Sequence, residues 1–498
     1  MAYSSQTFSI PYVTGINESS GDVNVNAYIA PYAQNIHTTY GVLETARGYG
    51  VQIPTALPAK PTRIYLFTDI TATGARKRHI IVTTETSVLV WDDTLQIWNK
   101  LFDDAKSGDW GFLTYQKADD VILIMGNGKD NVKFWDGTSS TLSDLKGVPC
   151  KGRFFALHYE RVWMCGDPEM PNSVFYSRQF NPNDWTGDIE NPTAGGGQVD
   201  LPTFELGGFI TGIYTVANEV VVMKESTAIR IWGTSPSSYT ASEVVGEIGT
   251  KAERAIIGYG GAQYFLTRHG LGVQSGSAVS MLNDRSMPRV FDGNYYTGDG
   301  IRMNQCYQQT ACGTRYDNKL WFAIPLGDTT ENNAIIEYDP ARETLMLHRG
   351  LSVVDFAQCD QEDDFVLFVG HGEDGAYRVY EYGGVLNYNG KAQKSVWESA
   401  WQEMGDKGRK KIVRQVRMYG DILKVDPDLS GSPSVKVTVE TDRGHFIKRF
   451  EPFPFRPLPQ SFRCGMRLSG ERFRVIVESG DNSRFRFGGG VELEVEQE

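Results

Sequence analysis

The chain has 498 residues, 40% apolar and 22% charged, with 53 glycines and 12% aromatics. That composition excludes a disordered, collagen-like or disulfide-stapled chain, and no apolar run approaches the ~20 residues that span a bilayer. A net charge of −12, from 49 basic and 61 acidic residues, excludes a protein that grips nucleic acid through its whole surface, though not one that lets it pass.

Abundant glycine and aromatics suit many short strands joined by tight turns. Long helical patterns are nearly absent; ARETLML and SVWESAWQEMG come nearest. The expected class is therefore all-β. In chain order, residues 1–62 are polar and punctuated by Gly and Pro, with no periodicity before RIYLFTDI at 63–70. They read as an extended arm, or as a strand that closes a ring.

From there a unit repeats. Residues 79–101 read HIIVTTETSVLVWDDTLQIWNKL, and residues 121–145 read VILIMGNGKDNVKFWDGTSSTLSDL. Each has an apolar run, a polar turn, a second run ending in Trp-Asp, and a third amphipathic run. The same place is held downstream by Tyr176, Trp232, Gln274, Tyr338 and Tyr382. The gaps from Trp91 are 44, 41, 56, 42, 64 and 44 residues. A period of roughly 40–50 residues with several strands in each predicts a β-propeller of about seven blades over 63–385. The long gap before Tyr338 places an insertion at 281–307. Large rings at the repeated place fill the wedge between neighbouring sheets, so Trp91, Trp135 and Trp232 are expected to pack rather than to stack a ligand.

The Gly- and Asn-rich stretch YGGVLNYNGKAQK at 382–394 marks a break. KIVRQVRMYGDI, SVKVTVETD, HFIKRFEPF, FRVIVES and RFRFGGGVELEVEQ then alternate apolar and polar residues with period two. This predicts a C-terminal antiparallel β-sandwich-like domain over 386–498. EPFPFRPLPQ at 451–460, with four prolines, reads as a connection or an edge.

A search for chemistry returns little. No Walker-type phosphate loop occurs. Gly370, Gly372 and Gly375 match G-x-G-x-x-G, but a strand follows where a dinucleotide site needs a helix N-terminus; a hairpin turn is expected. The seven histidines (37, 79, 158, 269, 348, 371 and 445) form no H-x-x-x-H and neighbour no cysteine at metal spacing. No G-x-S-x-G elbow is present. Asp426, Asp428, Ser430 and Gly431 imitate half a calcium loop, but Val437 stands where a bidentate Glu is needed. Acids cluster at turns, at Asp103-Asp104, Asp119-Asp120 and Glu362-Asp363-Asp364; they read as solvated turn acids, with glycoside hydrolysis the rival. No catalytic, cofactor-binding or metal-binding residue is predicted.

The basic run Lys407, Arg409, Lys410, Lys411, Arg414 and Arg417 reads as a charged strand edge, or as a dock for an acidic partner. The six cysteines, Cys150, Cys165, Cys306, Cys312, Cys359 and Cys464, show no C-x-x-C and are expected as reduced core residues. The start, MAYSSQTFSIPYV, lacks the basic-then-apolar order of a signal peptide, so synthesis in a cytoplasm is expected.

The order of segments resembles a family. IAPYAQNIHTTYGVLETARGYGVQI at 29–53 is similar to an "N…G.L..R.G" opening, carried by Asn35, Gly41, Leu43, Arg47 and Gly48. RVWMCGDPEMPNSVFYSRQFNPNDWTG at 161–187, GGFITGIYTVANEVVVMKESTAIRIWG at 207–233 and GEIGTKAERAIIGYGGAQYFLTRHGLGVQSG at 246–276 resemble successive blades, and 411–498 the closing sheet. These are features of the β-propeller tail hub, or tail nozzle, proteins of short-tailed bacteriophages. The resemblance implies a structural virion protein and no enzyme. It implies a homo-hexameric ring below the portal and its head-to-tail adaptor, carrying tail fibres or spikes. Double-stranded DNA would pass through the ring, gated and without specific binding. The implied place is the virion tail, after synthesis in the host cytoplasm and with no membrane anchor. A propeller-fold polysaccharide hydrolase or lyase and a cytosolic interaction scaffold are the alternatives. The lack of a Gly-His/Trp-Asp pairing in each blade argues against the scaffold.

Overall fold

The computed structural model describes residues 5–13, 15–17, 30–39, 41–70, 74, 76–117, 120–202, 207–244, 246, 248–282, 287–291, 302–357, 366–453 and 458–497. The chain is almost all β. Its helical structure among these residues is one turn at Pro288–Phe291 and two 3-10 segments, Pro236–Ser238 and Gln305–Thr310. The two stretches with the nearest helical patterns are instead turn and strand, the strands being Thr344–Val353 and Val396–Glu398.

Four-stranded antiparallel units follow one another, numbered here I to VII. Unit I holds Pro61–Ile70, Arg76–Thr84, Val88–Asp92 and Ile97–Phe102. Units II to V begin at strands Gly111–Lys117, Phe154–His158, Ile210–Val216 and Ile256–Tyr259. Unit VI holds Cys312–Tyr316, Lys319–Ile324, Asn332–Asp339 and Thr344–Val353. Unit VII holds Asp355–Phe356, Val366–His371 and Tyr377–Tyr382, and takes its fourth strand, Tyr49–Ile53, from the N-terminal segment.

Trp91, Trp135, Tyr176, Trp232, Gln274, Tyr338 and Tyr382 each lie on the third strand of their own unit. All but the half-buried Trp232, which lies under the Arg230 guanidinium at 4.6 Å, are buried. Where the ring is replaced by an amide, Gln274 accepts from Tyr214 of unit IV at 2.6 Å. Apolar clusters pack each unit on the next: Phe67 with Leu123, Tyr115 with Met164, Trp163 with Val222, Val221 with Phe265, Trp321 with Phe368, and Ile257 with Phe322, the last within the large cluster that also fills the C-terminal layers. A further cluster sets Val369 and Val379 of unit VII against Ile64 and Val82 of unit I.

The N-terminal segment does not remain apart. Ser5–Ile10, Ile36–Thr39 and Val42–Thr45 join Lys411–Lys424, Gln460–Gly470 and Ser483–Gln497 in a six-stranded sheet. Tyr32–Gln34 lies between the fourth strand of unit VI and Val396–Glu398. Unit VI therefore runs on into Phe473–Ser479, Val435–Thr441 and Gly444–Phe450, nine strands in one sheet. The two sheets face each other across Val413, Val416, Leu493 and Val495 on one side and Val437, Val439, Val475 and Val477 on the other.

The basic run is not at an edge. Lys411–Lys424 is an inner strand, flanked by Ser483–Gln497 and Gln460–Gly470. Arg414 and Arg417 pair with Glu496 and Glu492 across the ladder, and Lys411 is buried with its ammonium on the Asp406 and Arg409 carbonyls. Opposite charges one strand apart let a charged stretch sit inside a sheet. The Gly370–Gly375 stretch closes a hairpin, with Gly372 N–H donating to Ala376. Asp426–Gly431 forms the link between two strands, where the Asp426 carboxylate accepts from the Asp428 amide. Cys165 and Cys312 are buried as expected, whereas Cys306 is exposed. Burial pushes the Cys150 thiol up to about 12. Cys359, Asp119 and residues 362–364 lie outside the described residues, as do 283–286 and 292–301 of the expected insertion.

Candidate functional site

Charged residues meet where the first strands of the units begin. Arg63 lies in the first strand of unit I; Arg153, Glu253 with Arg254, and Asp355 stand at the starts of units III, V and VII. The Arg254 guanidinium donates to the carbonyls of Thr62 at 2.9 Å, Val354 at 3.2 Å and Thr310 at 3.1 Å. One side chain thus ties chain segments entering units I, VII and VI. Asp355, 3% exposed, accepts from Arg63 Nε at 3.0 Å and the Ile64 amide at 3.1 Å. Glu253 pairs with Arg153 and lies 4.0 Å from Arg63. Burial works against the Arg254 charge, but Asp355 and the neighbouring acids outweigh it and raise its pKa above the ordinary arginine value.

A cavity of about 300 Å3 opens beside this cluster, with Tyr65, Phe112, Phe154 and Tyr214 in its wall. Tyr65 stacks on Phe112 at 4.9 Å, and Arg153 lies over Phe154 at 5.1 Å. Chemically, the cluster is a closed ion network: each carboxylate is occupied by a guanidinium. Such a network joins strands of different units, which otherwise meet through side-chain packing and a few backbone hydrogen bonds such as Gly313 N–H to the Arg254 carbonyl. A larger cavity of about 1060 Å3 lies between units VI and VII and residues 389–394. Within its charged lining Arg378 pairs with Asp374 and Lys391 with Glu373.

A second buried centre surrounds Glu337 on the third strand of unit VI. Its carboxylate accepts from Trp321 Nε1 at 3.0 Å and Lys319 Nζ at 2.7 Å, and lies 3.1 Å from His348 Nε2. His37 Nδ1 lies 3.6 Å away. His37, Glu337 and His348 bring ligand-type atoms within 4.8 Å of one another. The Lys319 ammonium, 2.7 Å from Glu337 and 3.4 Å from His37, already supplies the positive charge there. The residues present therefore suit an ammonium better than a metal ion, which would have to displace it.

Neither centre was visible as a motif. His37 and His348 stand far apart in sequence, and the central charges come from four separate units. The available signal was positional: a charged residue at or beside the start of a unit's apolar first strand, as in KAERAII. The residues that carry the opening resemblance occupy a joint. Asn35, buried with φ +53°, donates to the carbonyls of Arg349 and Lys394 and accepts from the Arg349 amide. Arg47 donates to the Gly383 carbonyl, and Leu43 is fully buried in the sandwich core. A Cβ on Gly48 would stand 1.9 Å from the Asn387 carbonyl oxygen, so only glycine fits where the closing strand enters unit VII.

No protein-family model matches this sequence, and no curated protein matches it. Among solved structures the chain is similar to the extracellular domain of a one-component system from B. thetaiotaomicron, at 10% identity and a TM-score of 0.41. The match covers 93% of this chain and 64% of that one, so the chain spans less than two thirds of that neighbour's length. Among the described residues, no helix is long and apolar enough to cross a membrane.

Proposed function

We propose that units I to VII are the blades of a closed seven-bladed propeller, and that the chain is a structural protein of a short-tailed phage tail, a nozzle subunit. The succession of cores, with unit VII packed on unit I, supports the propeller. The observation that carries the functional reading is the joint at Asn35–Gly48. The residues that resemble the tail-hub opening are the ones that lock arm, blades and sandwich into one body. A structural ring subunit needs that rigidity, whereas a catalyst needs a free acid or nucleophile. In this reading the ion network blocks the middle of each blade ring, so DNA passes between copies and not through a propeller axis. Copies of the chain form the hexamer, with the adaptor above and fibres or spikes outside. Electron micrographs of the purified chain should show six-fold rings, and the particle mass should be six times that of one chain. A stable monomer that never assembles overturns the reading.

A second reading is favoured by one observation. Arginines and acids do converge at the middle of the units, beside an aromatic-walled cavity, as in a propeller hydrolase. Release of sugars from a host polysaccharide by the purified chain, abolished in Glu253→Gln, would establish it. The expected result is no release above a blank, because Glu253 and Asp355 are held by arginines.

A further inference from the structure

The six-stranded sheet has three terminal strands: Ile36–Thr39, paired with Val42–Thr45 and with Ile36 and Thr38 buried, and two exposed margins. Strand Gln460–Gly470 ends it on one side, and strand Ser5–Ile10 lies at the other, paired on one side with Ser483–Gln497. Among the described residues, no strand pairs with the outer side of either. Such a margin is a row of unpaired N–H and C=O groups, ready to template another strand.

The outward-facing side chains of this sheet are sorted by charge. In register, Arg463 lies beside Arg417, Arg417 beside Glu492, and Glu492 beside Ser9. One step along, Gly465 lies beside Gln415, then Glu494, then Thr7. The inner residues neutralise each other through Arg417–Glu492 and Arg414–Glu496. Exposed Arg463 and Arg467 have no carboxylate partner among the described residues. One margin is thus cationic, and the other carries hydroxyls backed by Glu494, which lies beside Thr7 and has no cation partner among the described residues.

This sorting selects among the ways two copies could meet. Pairing the arginine margin with itself opposes like charges, which destabilises a ladder. Pairing it with the Ser5–Ile10 margin opposes arginines to hydroxyls with the Glu494 carboxylate one strand behind. We propose that strand Gln460–Gly470 of one copy adds to strand Ser5–Ile10 of the next, a head-to-tail β-strand addition. The proposal rests on the ring reading above and names its contact. A head-to-tail interface makes a ring when its rotation closes, and backbone pairing supplies the adhesion while the charges set the partner.

Light scattering on the full chain tests this. Arg463→Glu with Arg467→Glu is expected to weaken assembly about tenfold, with the unfolding temperature unchanged. Adding Thr7→Lys and Ser9→Lys to that variant restores opposite charges across the contact and is expected to restore the wild-type mass. An assembled double variant, or a quadruple variant that stays dispersed, overturns the contact while leaving the ring reading standing. A wild-type chain that is itself monomeric overturns both.

Discussion

Asp355→Ala is expected to destabilise the chain by about 3–5 kcal/mol, the cost of leaving buried charge without its partner. The Asp355 carboxylate is buried and holds both the Arg63 guanidinium and the Ile64 amide. Arg254, lodged among three carbonyls nearby, loses the acid that most supports its charge. Without the carboxylate, the Arg63 and Arg254 guanidiniums of units I and V keep only Glu253, itself paired with Arg153, as a nearby acid from the network. Asp355→Asn keeps an acceptor for the Ile64 amide, so its loss should be smaller. Urea unfolding followed by tryptophan fluorescence measures both. A midpoint for Asp355→Ala equal to that of the native chain would sink the idea that this network holds the units together.

Glu337→Ala is the second large effect, again about 3–5 kcal/mol. It strips the acceptor from the Trp321 indole and Lys319, with His348 left beside them in the wall between units VI and VII. The same centre sets a pH response. Burial opposes ionisation of Glu337, but His37 and His348 outweigh it and hold its pKa well below 4.5. Its stabilisation is therefore full above about 4.5 and is lost as pH falls through the folded value. Burial also lowers the pKa of His348 below 6.5, and does the same for His79 and His158. These rings are neutral in the fold and take up protons more readily when unfolded. Their contribution is full above 6.5 and erodes below it. The unfolding temperature should thus drop between pH 7 and pH 5, and drop further below pH 4.5. A flat profile from pH 7 to pH 5 contradicts the assignment of buried neutral histidines.

How far the sequence was legible follows from the range of each interaction. Trp or Tyr in six units and Gln274 in the other landed on the third strand because they answer to a local pattern of strand, turn and strand. Period-two alternation after residue 395 was local in the same way and matched paired strands. The turn at Gly370–Gly375 was legible because no helix follows it. The basic run at 407–417 misled, since its counter-ions, Glu492 and Glu496, arrive from a strand over 70 residues away. The alternative reading of 1–62, a strand given to a distant sheet, matches Tyr49–Ile53 in unit VII, but nothing there betrays the strands it gives to two further sheets, whose partners lie hundreds of residues on. The central network was hidden for the same reason: each unit gives it only one or two charges, each an ordinary surface residue when read alone.

The sheet that carries unit VI out into the C-terminal layers has a mechanical meaning. From Cys312–Tyr316 at one end to Gly444–Phe450 at the other, the backbone is one continuous nine-stranded ladder. A tug on its tip travels inward through hydrogen bonds and needs no sliding of packed side chains. Its thinnest rung is the lone parallel step of Gln34 against Leu347, and there the Asn35 amide acts as a rivet. Strain on the C-terminal strands should therefore gather at that one asparagine before it reaches unit VI.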